Sequence, residues 1–452
     1  MKLTQQAARR IVFVCRDLVG EAFRHAQAIK DLEGVRLLVI TESPLRSEIA
    51  ETLAGSVCVE DVHDSDQLIS AAGNLRDHHG ELDQIVTAQE TLLEPVAEAG
   101  ESLGLSGMRP ATVRRTLNKS SLKSILNGAG INTPHHKVLT SSNDARRFVS
   151  EVGFPIVLKP LNGSGGLATW CVRDKEQLEL SLQLIEPSPE CVALAEIYLH
   201  GQELCIDTIT IANEPQFHSI CLYRPSILEA LEHPNIQWTC LMPRDIDGER
   251  YRDFIDQGLS VVKTLSVENA MTHVEGFLHE DRSVSFTDAT LRPAGARIAP
   301  MLAFAYDIDP YRAWARAVVD GCFDGPWKRK YAVGTIFLRG SGCGTIETVE
   351  GVETAKRQLG ELLVDVRLPR VGASKSATYT GDGFITVRHL DTQSVEDALD
   401  FIARTVHIVY SHPESLSLQG RPTSQQWGER LQHFHKLNKP AWDNDYSMTG
   451  KP

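Results

Sequence analysis

The stretch THVEGFLHEDRSVSFTDATLRPAGARI, residues 272–298, sets two acidic residues where a β-hairpin would bring them face to face. His273, Glu275 and Phe277 alternate along one strand pattern, and Phe286, Asp288 and Thr290 along another. Between them lies the polar run His279-Glu280-Asp281-Arg282-Ser283. A turn about Asp281-Arg282 pairs Glu275 with Asp288 and Phe277 with Phe286. Like charges opposite each other on a sheet, with Cβ atoms about 4.5–5.5 Å apart, destabilise it. The spacing therefore predicts a cation beside this pair.

Two further stretches carry chemistry of a matching kind. GFPIVLKPLNGSGGLATWCV reads as a strand ending at Lys159-Pro160, a glycine-rich loop (Gly163, Ser164, Gly165, Gly166) and a second strand. A loop without Cβ atoms lets backbone N–H groups close on phosphate oxygens, and a lysine on the adjoining strand adds positive charge. In ALAEIYLHGQELCID, Glu196 and Glu203 flank a turn at His200-Gly201. Such acidic side chains can accept from an exocyclic amine and from ribose hydroxyls, with the backbone of Ile197–Leu199 against a base edge. Taken singly, each motif also fits a plain glycine hairpin or solvated glutamates.

The chain that must position these groups has 452 residues, 42% of them hydrophobic and 23% charged, with 33 glycines, the composition of ordinary α/β and α+β multidomain material. A net charge of −13 argues against nucleic acid or an acidic membrane as partner. The apolar run in RRIVFVCRDLVG is too short for a secretory leader and nothing later approaches a membrane span, so a cytoplasmic location is expected. The nine cysteines are scattered and never spaced as CxxC, which indicates neither a disulfide framework nor a zinc site.

Residues 1–113 read as a small doubly wound domain, with strands in RRIVFVC, VRLLVIT and LDQIVTAQE and a helix in EAFRHAQAIKDL. It lacks a GxGxxG fingerprint and serves as scaffold. NKSSLKSILNGAGINTP carries Leu122, Ile125 and Leu126 at helical spacing and opens a second domain, residues 114–330. Residues 331–412 read as an α+β unit, and 413–452 as a polar tail of unassigned role.

The order and spacing of NKSSLKSILNGAGINTP, GFPIVLKPLNGSGGLATWCV, AEIYLHGQE and HVEGFLHEDRSVSFTDATLRPAG resemble the ATP-grasp superfamily of carboxylate–amine ligases. Residues 1–113 are similar to that family's preceding Rossmann-like domain, and 331–412 to the C-terminal domain of its L-amino-acid ligase (dipeptide synthetase) branch, so the likeness covers about nine-tenths of the chain. The resemblance implies ATP as cofactor and two Mg²⁺ ions, replaceable by Mn²⁺. It makes Lys119 and Lys159 the phosphate-binding lysines and the loop at 163–166 a flap over the triphosphate. Glu196 would face the adenine amine, Ile197 and Leu199 would supply hinge backbone, and Glu203 would hold the ribose. Glu275 and Asp288 would be metal ligands, and Arg292 the arginine that meets the substrate carboxylate or the developing oxyanion.

Where the family usually has Glu followed two residues on by Asn, this chain has Asp288 and Thr290, which leaves open whether Thr290 or water completes one metal site. The implied activity is an ADP-forming ligase that activates a carboxylate, of an amino acid, as an acylphosphate and couples it to an amine. The expected partners are these small molecules and a second copy of the chain. Two other readings stand beside it: a biotin-carboxylase-like or purine-pathway enzyme, and a non-catalytic ATP-binding regulator. His273 is read either as lining the acceptor pocket or as a satisfied sheet residue, and Arg297 as a structural ion-pair partner. Small Ala296 leaves room for a sizeable substrate side chain, and the segment 222–245 is the candidate for substrate selection.

Overall fold

The computed structural model describes residues 8–161 and 168–412. The glycine-rich loop Gly163, Ser164, Gly165 and Gly166 and the tail 413–452 lie outside the described residues.

Near-continuous apolar runs build the N-terminal sheet. Arg9–Val14 buries its last four residues and Val35–Thr41 its last five, as strands covered on both faces must. With Gly55–Cys58 outside and Gln84–Val86 on the other edge, they form a four-stranded sheet paired in parallel. Helices Gly20–Lys30, Ser65–His79 and Leu93–Ser102 connect and cover the strands. Two further helices, Pro110–Leu117 and Lys119–Gly128, then lead away, the second capped by Asn118, whose side chain accepts from Ser121 N.

Residues 136–197 form a second layer, an antiparallel sheet in the order His136–Leu139, Ala193–Ile197, Ile156–Pro160, Trp170–Val172, backed by helices Ser142–Val152 and Lys175–Ile185. The third and largest sheet has eight strands, in the order Val284–Thr290, Ala270–Leu278, Gln202–Ile211, Glu214–Arg224, Trp238–Met242, Ala332–Leu338, Gly383–His389, Leu363–Arg367. Its last three strands come from residues 331–412, so the central sheet crosses the 330/331 boundary expected from the sequence.

The pleat of this sheet separates two environments. Leu204, Ile206, Leu222 and Val274 are buried in one core cluster with Phe254, Val261 and Val262 of the helix Glu249–Leu265. Gly258 lets that helix come close: a Cβ there would lie 2.7 Å from Ile206 Cγ2. Fully burying a side chain such as Phe254 contributes roughly 1.5–3 kcal/mol. The alternate residues Glu203, Cys205 and Asp207 face the other way, with Tyr223, His273 and Glu275. The mixed α/β and α+β multidomain architecture expected from the sequence is the one observed.

Candidate active site

The hairpin expected over residues 272–298 is formed, and its strands pair Glu275 with Asp288 and His273 with Thr290. Nearer the turn the register slips. Gly276 pairs with Phe286 and Phe277 with Ser285, so the expected Phe277–Phe286 pairing is not made. Thr287 is the extra residue of a β-bulge. Its carbonyl accepts from Lys123 Nζ at 2.7 Å, its Oγ1 donates to Glu275 O at 3.2 Å, and the neighbouring Phe286 N donates to Asn132 O at 2.9 Å. Gly276 permits the bulge, since a Cβ there would lie 2.7 Å from Ser285 O. Phe286 is thereby turned into the helix-side core, its ring 5.3 Å from that of Phe254, while Phe277 lines the site.

Each of the two facing carboxylates has its own cation. Lys119 Nζ is ion-paired to Asp288 Oδ2. His273 lies between two acids, Nε2 3.1 Å from Glu275 Oε1 and Nδ1 2.9 Å from Asp207 Oδ1. Burial opposes the charge on Lys119, but Asp288 outweighs it and raises the lysine pKa. Burial likewise opposes ionisation of Asp288, yet Lys119 holds its pKa below the usual value. His273 is driven well above its ordinary pKa because Asp207 overrides the cost of burial. Cys205 Sγ is 3.4 Å from Asp207 Oδ2, so the thiol completes a buried Cys205–Asp207–His273 group.

A second charge cluster stands on the smaller sheet. Glu196, 3% exposed, receives Lys123 Nζ at 2.9 Å and Lys159 Nζ at 2.8 Å. Its carboxylate is thus ion-paired to two lysines. Burial works against its ionisation, but the two lysines lower its pKa to about 2. Lys123, fully buried, is lowered to about 8, first by burial and then by Lys159 against the pull of Glu196. Glu203 is also buried, accepts from Ile227 N at 2.7 Å, and is raised to about 8 by burial and by Glu275.

Lys119, Lys159, Glu196, Ile197, Leu199, Glu203, Glu275, Asp288 and Arg292 all line one cavity of about 370 Å³. Every candidate site residue among the described ones is therefore brought to one place. Tyr223, Ser226, Ile227, Leu228 and Leu231, from the segment 222–245, form part of the wall. Arg339 braces that segment, donating to Ala230 O and to Ile236 O at 2.9 Å. Arg297 instead pairs with Asp365 and lies over the Phe384 ring at 3.8 Å, the structural ion pair expected of it.

Four participants escaped the sequence reading: Glu90, Lys123, Asp207 and Tyr379. Lys123 had a signal, for it interrupts the apolar stripe of its helix between Leu122 and Leu126, both buried. Asp207 also had one, since alternation puts it on the face of Glu203. Glu90, which is ion-paired to Arg292, and Tyr379 come from parts of the chain remote in sequence and carried none.

The donor set suits a hard divalent cation. Glu275 and Asp288 face each other, and Thr290 Oγ1 is a buried oxygen without a hydrogen-bond partner among the described residues. All are oxygen donors, as Mg²⁺ requires.

Comparison with known proteins follows the same lines. The family described as "Carbamoyl-phosphate synthase L chain, ATP binding domain" matches residues 118–200. Alanine–anticapsin ligase of Bacillus subtilis is 23% identical over 246 residues, covering 50% of this chain and 52% of that protein. The chain thus spans about half the length of the curated relatives it matches. The L-amino acid ligase from Bacillus licheniformis has a similar structure, with a TM-score of 0.70 at 19% identity over 90% of this chain and 100% of that one. The biotin carboxylase domain of Hydrogenobacter thermophilus 2-oxoglutarate carboxylase, solved with MgADP, ADP and bicarbonate, gives a TM-score of 0.63 at 15% identity over 90% of this chain and 91% of that one. The fold is that of the ATP-grasp proteins, and the resemblance to ATP-grasp ligases, L-amino-acid ligases among them, is borne out.

Proposed function

We propose that this ATP-grasp chain is an ADP-forming carboxylate–amine ligase that joins amino acids or an amino acid and another small carboxylate. The observation that carries the reading is the convergence of Lys119, Lys159, Glu275, Asp288 and Arg292 on one cavity. Phosphoryl transfer asks mainly for positioning and charge neutralisation. Lys159, aligned by Glu196, and Lys119, aligned by Asp288, supply fixed positive charge for the triphosphate. Tyr198, Leu199 and Leu231 form an apolar wall suited to a base, and buried Glu203 suits its ribose.

Mg²⁺ held by Glu275 and Asp288, with Thr290 Oγ1 beside them, would neutralise the β- and γ-phosphate oxygens. The substrate carboxylate attacks the γ-phosphorus and ADP departs, leaving an acylphosphate. The uncharged amine then attacks the acyl carbon, Arg292 stabilises the tetrahedral oxyanion, and as the C–O bond to phosphate breaks the nitrogen gives up one proton to the departing phosphate or to solvent. Incubation with ATP, Mg²⁺ and all pairs of the common amino acids tests this reading: ADP release that requires both a carboxylate and an amine supports it, and AMP formation contradicts it.

A further inference from the structure

Tyr379 sits on the segment between strands Leu363–Arg367 and Gly383–His389, remote in sequence from the other residues of the cavity wall, yet lines the same cavity as Lys119, Glu275 and Arg292. Its ring stands edge-on to Trp238, with centroids 4.8 Å apart at 87°. Trp238 is fully buried and anchored, its Nε1 donating to Pro225 O at 3.1 Å. The segment is braced on both sides of the tyrosine. Lys375 Nζ donates to Gly340 O and Gly342 O, each at 2.8 Å. Ser376 N donates to Asp382 Oδ1 at 2.7 Å, and Tyr410 Oη to Asp382 Oδ2 at 2.6 Å. Gly381, at φ +60°, packs where a Cβ would lie 2.3 Å from Leu338 O.

The ring is therefore fixed while its hydroxyl, among the described residues, makes no hydrogen bond. Tyr379 is only partly buried, and the part left open lines the cavity, so its O–H is free to meet a ligand there. Burial first, then Glu275, raises its pKa, while Arg292 opposes. The group is a neutral donor held in the field of the proposed metal ligand and of the proposed oxyanion arginine.

We infer that Tyr379 is a further substrate-binding residue, whose hydroxyl donates to the reacting carboxylate beside Arg292 and keeps that bond as the oxygen becomes the tetrahedral oxyanion. The inference rests on the ligase reading. It makes the segment around residues 368–382 a functional wall of the site, and it assigns a neutral hydrogen-bond donor to a reaction otherwise supplied only with charged ones. The edge-on contact with Trp238 fixes the donor, so little ordering is required when substrate arrives.

The test compares the parent chain with Tyr379→Phe and Tyr379→Ala, using an amino-acid pair that supports ADP release. Tyr379→Phe keeps the ring on Trp238 and loses only the hydroxyl. It should lower kcat by about a hundredfold, the weaker end of the usual range for loss of one oxyanion donor, with the KM for ATP changed less than about twofold and the melting temperature unchanged. Tyr379→Ala should lose at least as much activity. Parent-like kcat and KM in Tyr379→Phe, or an equal loss of ATP affinity and turnover, overturns the inference and leaves the ligase reading standing. A parent chain that releases no ADP with any pair overturns the reading, and the inference falls with it.

Discussion

Arg292, two residues past the hairpin, is ion-paired to Glu90 of the short helix Glu90–Leu92, across more than two hundred residues of sequence. Arg292 Nε is 3.0 Å from Glu90 Oε2, Nη2 contacts the same oxygen, and Nη1 donates to Pro293 O at 2.7 Å. Three of its donors are thus fixed before any substrate arrives. The contact gives the N-terminal sheet a part in the site, since Glu90 follows directly from the strand Gln84–Val86. Changing Arg292 to Lys replaces this fork by a point charge. Turnover should fall by about 2.7–4 kcal/mol in activation free energy, the loss of an oxyanion donor, while the ATP dissociation constant stays within about threefold of the parent's. Steady-state kinetics beside calorimetric ATP titration checks it; equal losses in both would place Arg292 in nucleotide binding instead.

Glu275→Gln and Asp288→Asn should both abolish most Mg²⁺-dependent turnover, but they should differ in stability. Asp288 neutralises buried Lys119, so Asp288→Asn strands that ammonium and should cost about 3 kcal/mol, as removal of one partner of a buried ion pair does. Glu275 shares His273 with Asp207, so Glu275→Gln leaves the imidazolium a partner and should cost less than about 1 kcal/mol. Denaturant titration of the metal-free proteins measures the difference, and equal stabilities would refute this account of the pair.

Lys123→Met should be among the more damaging single changes outside the catalytic groups. The side chain keeps its length, but Thr287 O loses its donor and Glu196 one of its two lysines. A loss of about 3–5 kcal/mol is expected. Near-parental stability would show that the bulge and Glu196 do not depend on this lysine.

Glu203 gives a pH signature. Its carboxyl rises from the ordinary 4.5 to about 8 in the folded protein. The folded state therefore binds the proton more tightly, and this group's contribution to stability is complete below pH 4.5 and disappears as pH rises through 8. Between those limits the ligand-free parent should lose stability with rising pH more steeply than Glu203→Gln. Parallel curves would mean that Glu203 ionises normally when folded.

The legible parts of the site were those set by local periodicity. Alternation along one strand and a polar turn placed Glu275 opposite Asp288, and the pleat did the rest. The bulge was not legible, because it is held by Asn132 O and Lys123 Nζ, contacts that no hairpin pattern contains. Lys119 is the phosphate lysine of the sequence pattern, and its pairing with Asp288 depends on how the helix Lys119–Gly128 docks on the hairpin. Glu90 reaches the cavity from the N-terminal sheet, and Tyr379 from a connection between two strands at the far edge of the eight-stranded sheet that carries Glu275, neither of which a local pattern encodes. The N-terminal strands Arg9–Val14 and Val35–Thr41, by contrast, declared themselves by apolar runs alone, whereas the edge strand Gly55–Cys58, with no buried residue, did not. Where the eight-stranded sheet continues past residue 330, the pairing of Ala332–Leu338 with Trp238–Met242 is a long-range choice that strand propensity does not encode.

Activation of a substrate carboxylate by the γ-phosphoryl group of ATP leaves an isotopic trace in the products. An amino acid labelled with ¹⁸O in its carboxylate, paired with an amine substrate and ATP–Mg²⁺, is turned over, and the released inorganic phosphate is analysed by mass spectrometry. One ¹⁸O is expected in each phosphate released, with ADP as the nucleotide product and one ¹⁸O left in the amide; this is what acylphosphate formation requires. Unlabelled phosphate, or label carried into AMP, would contradict it.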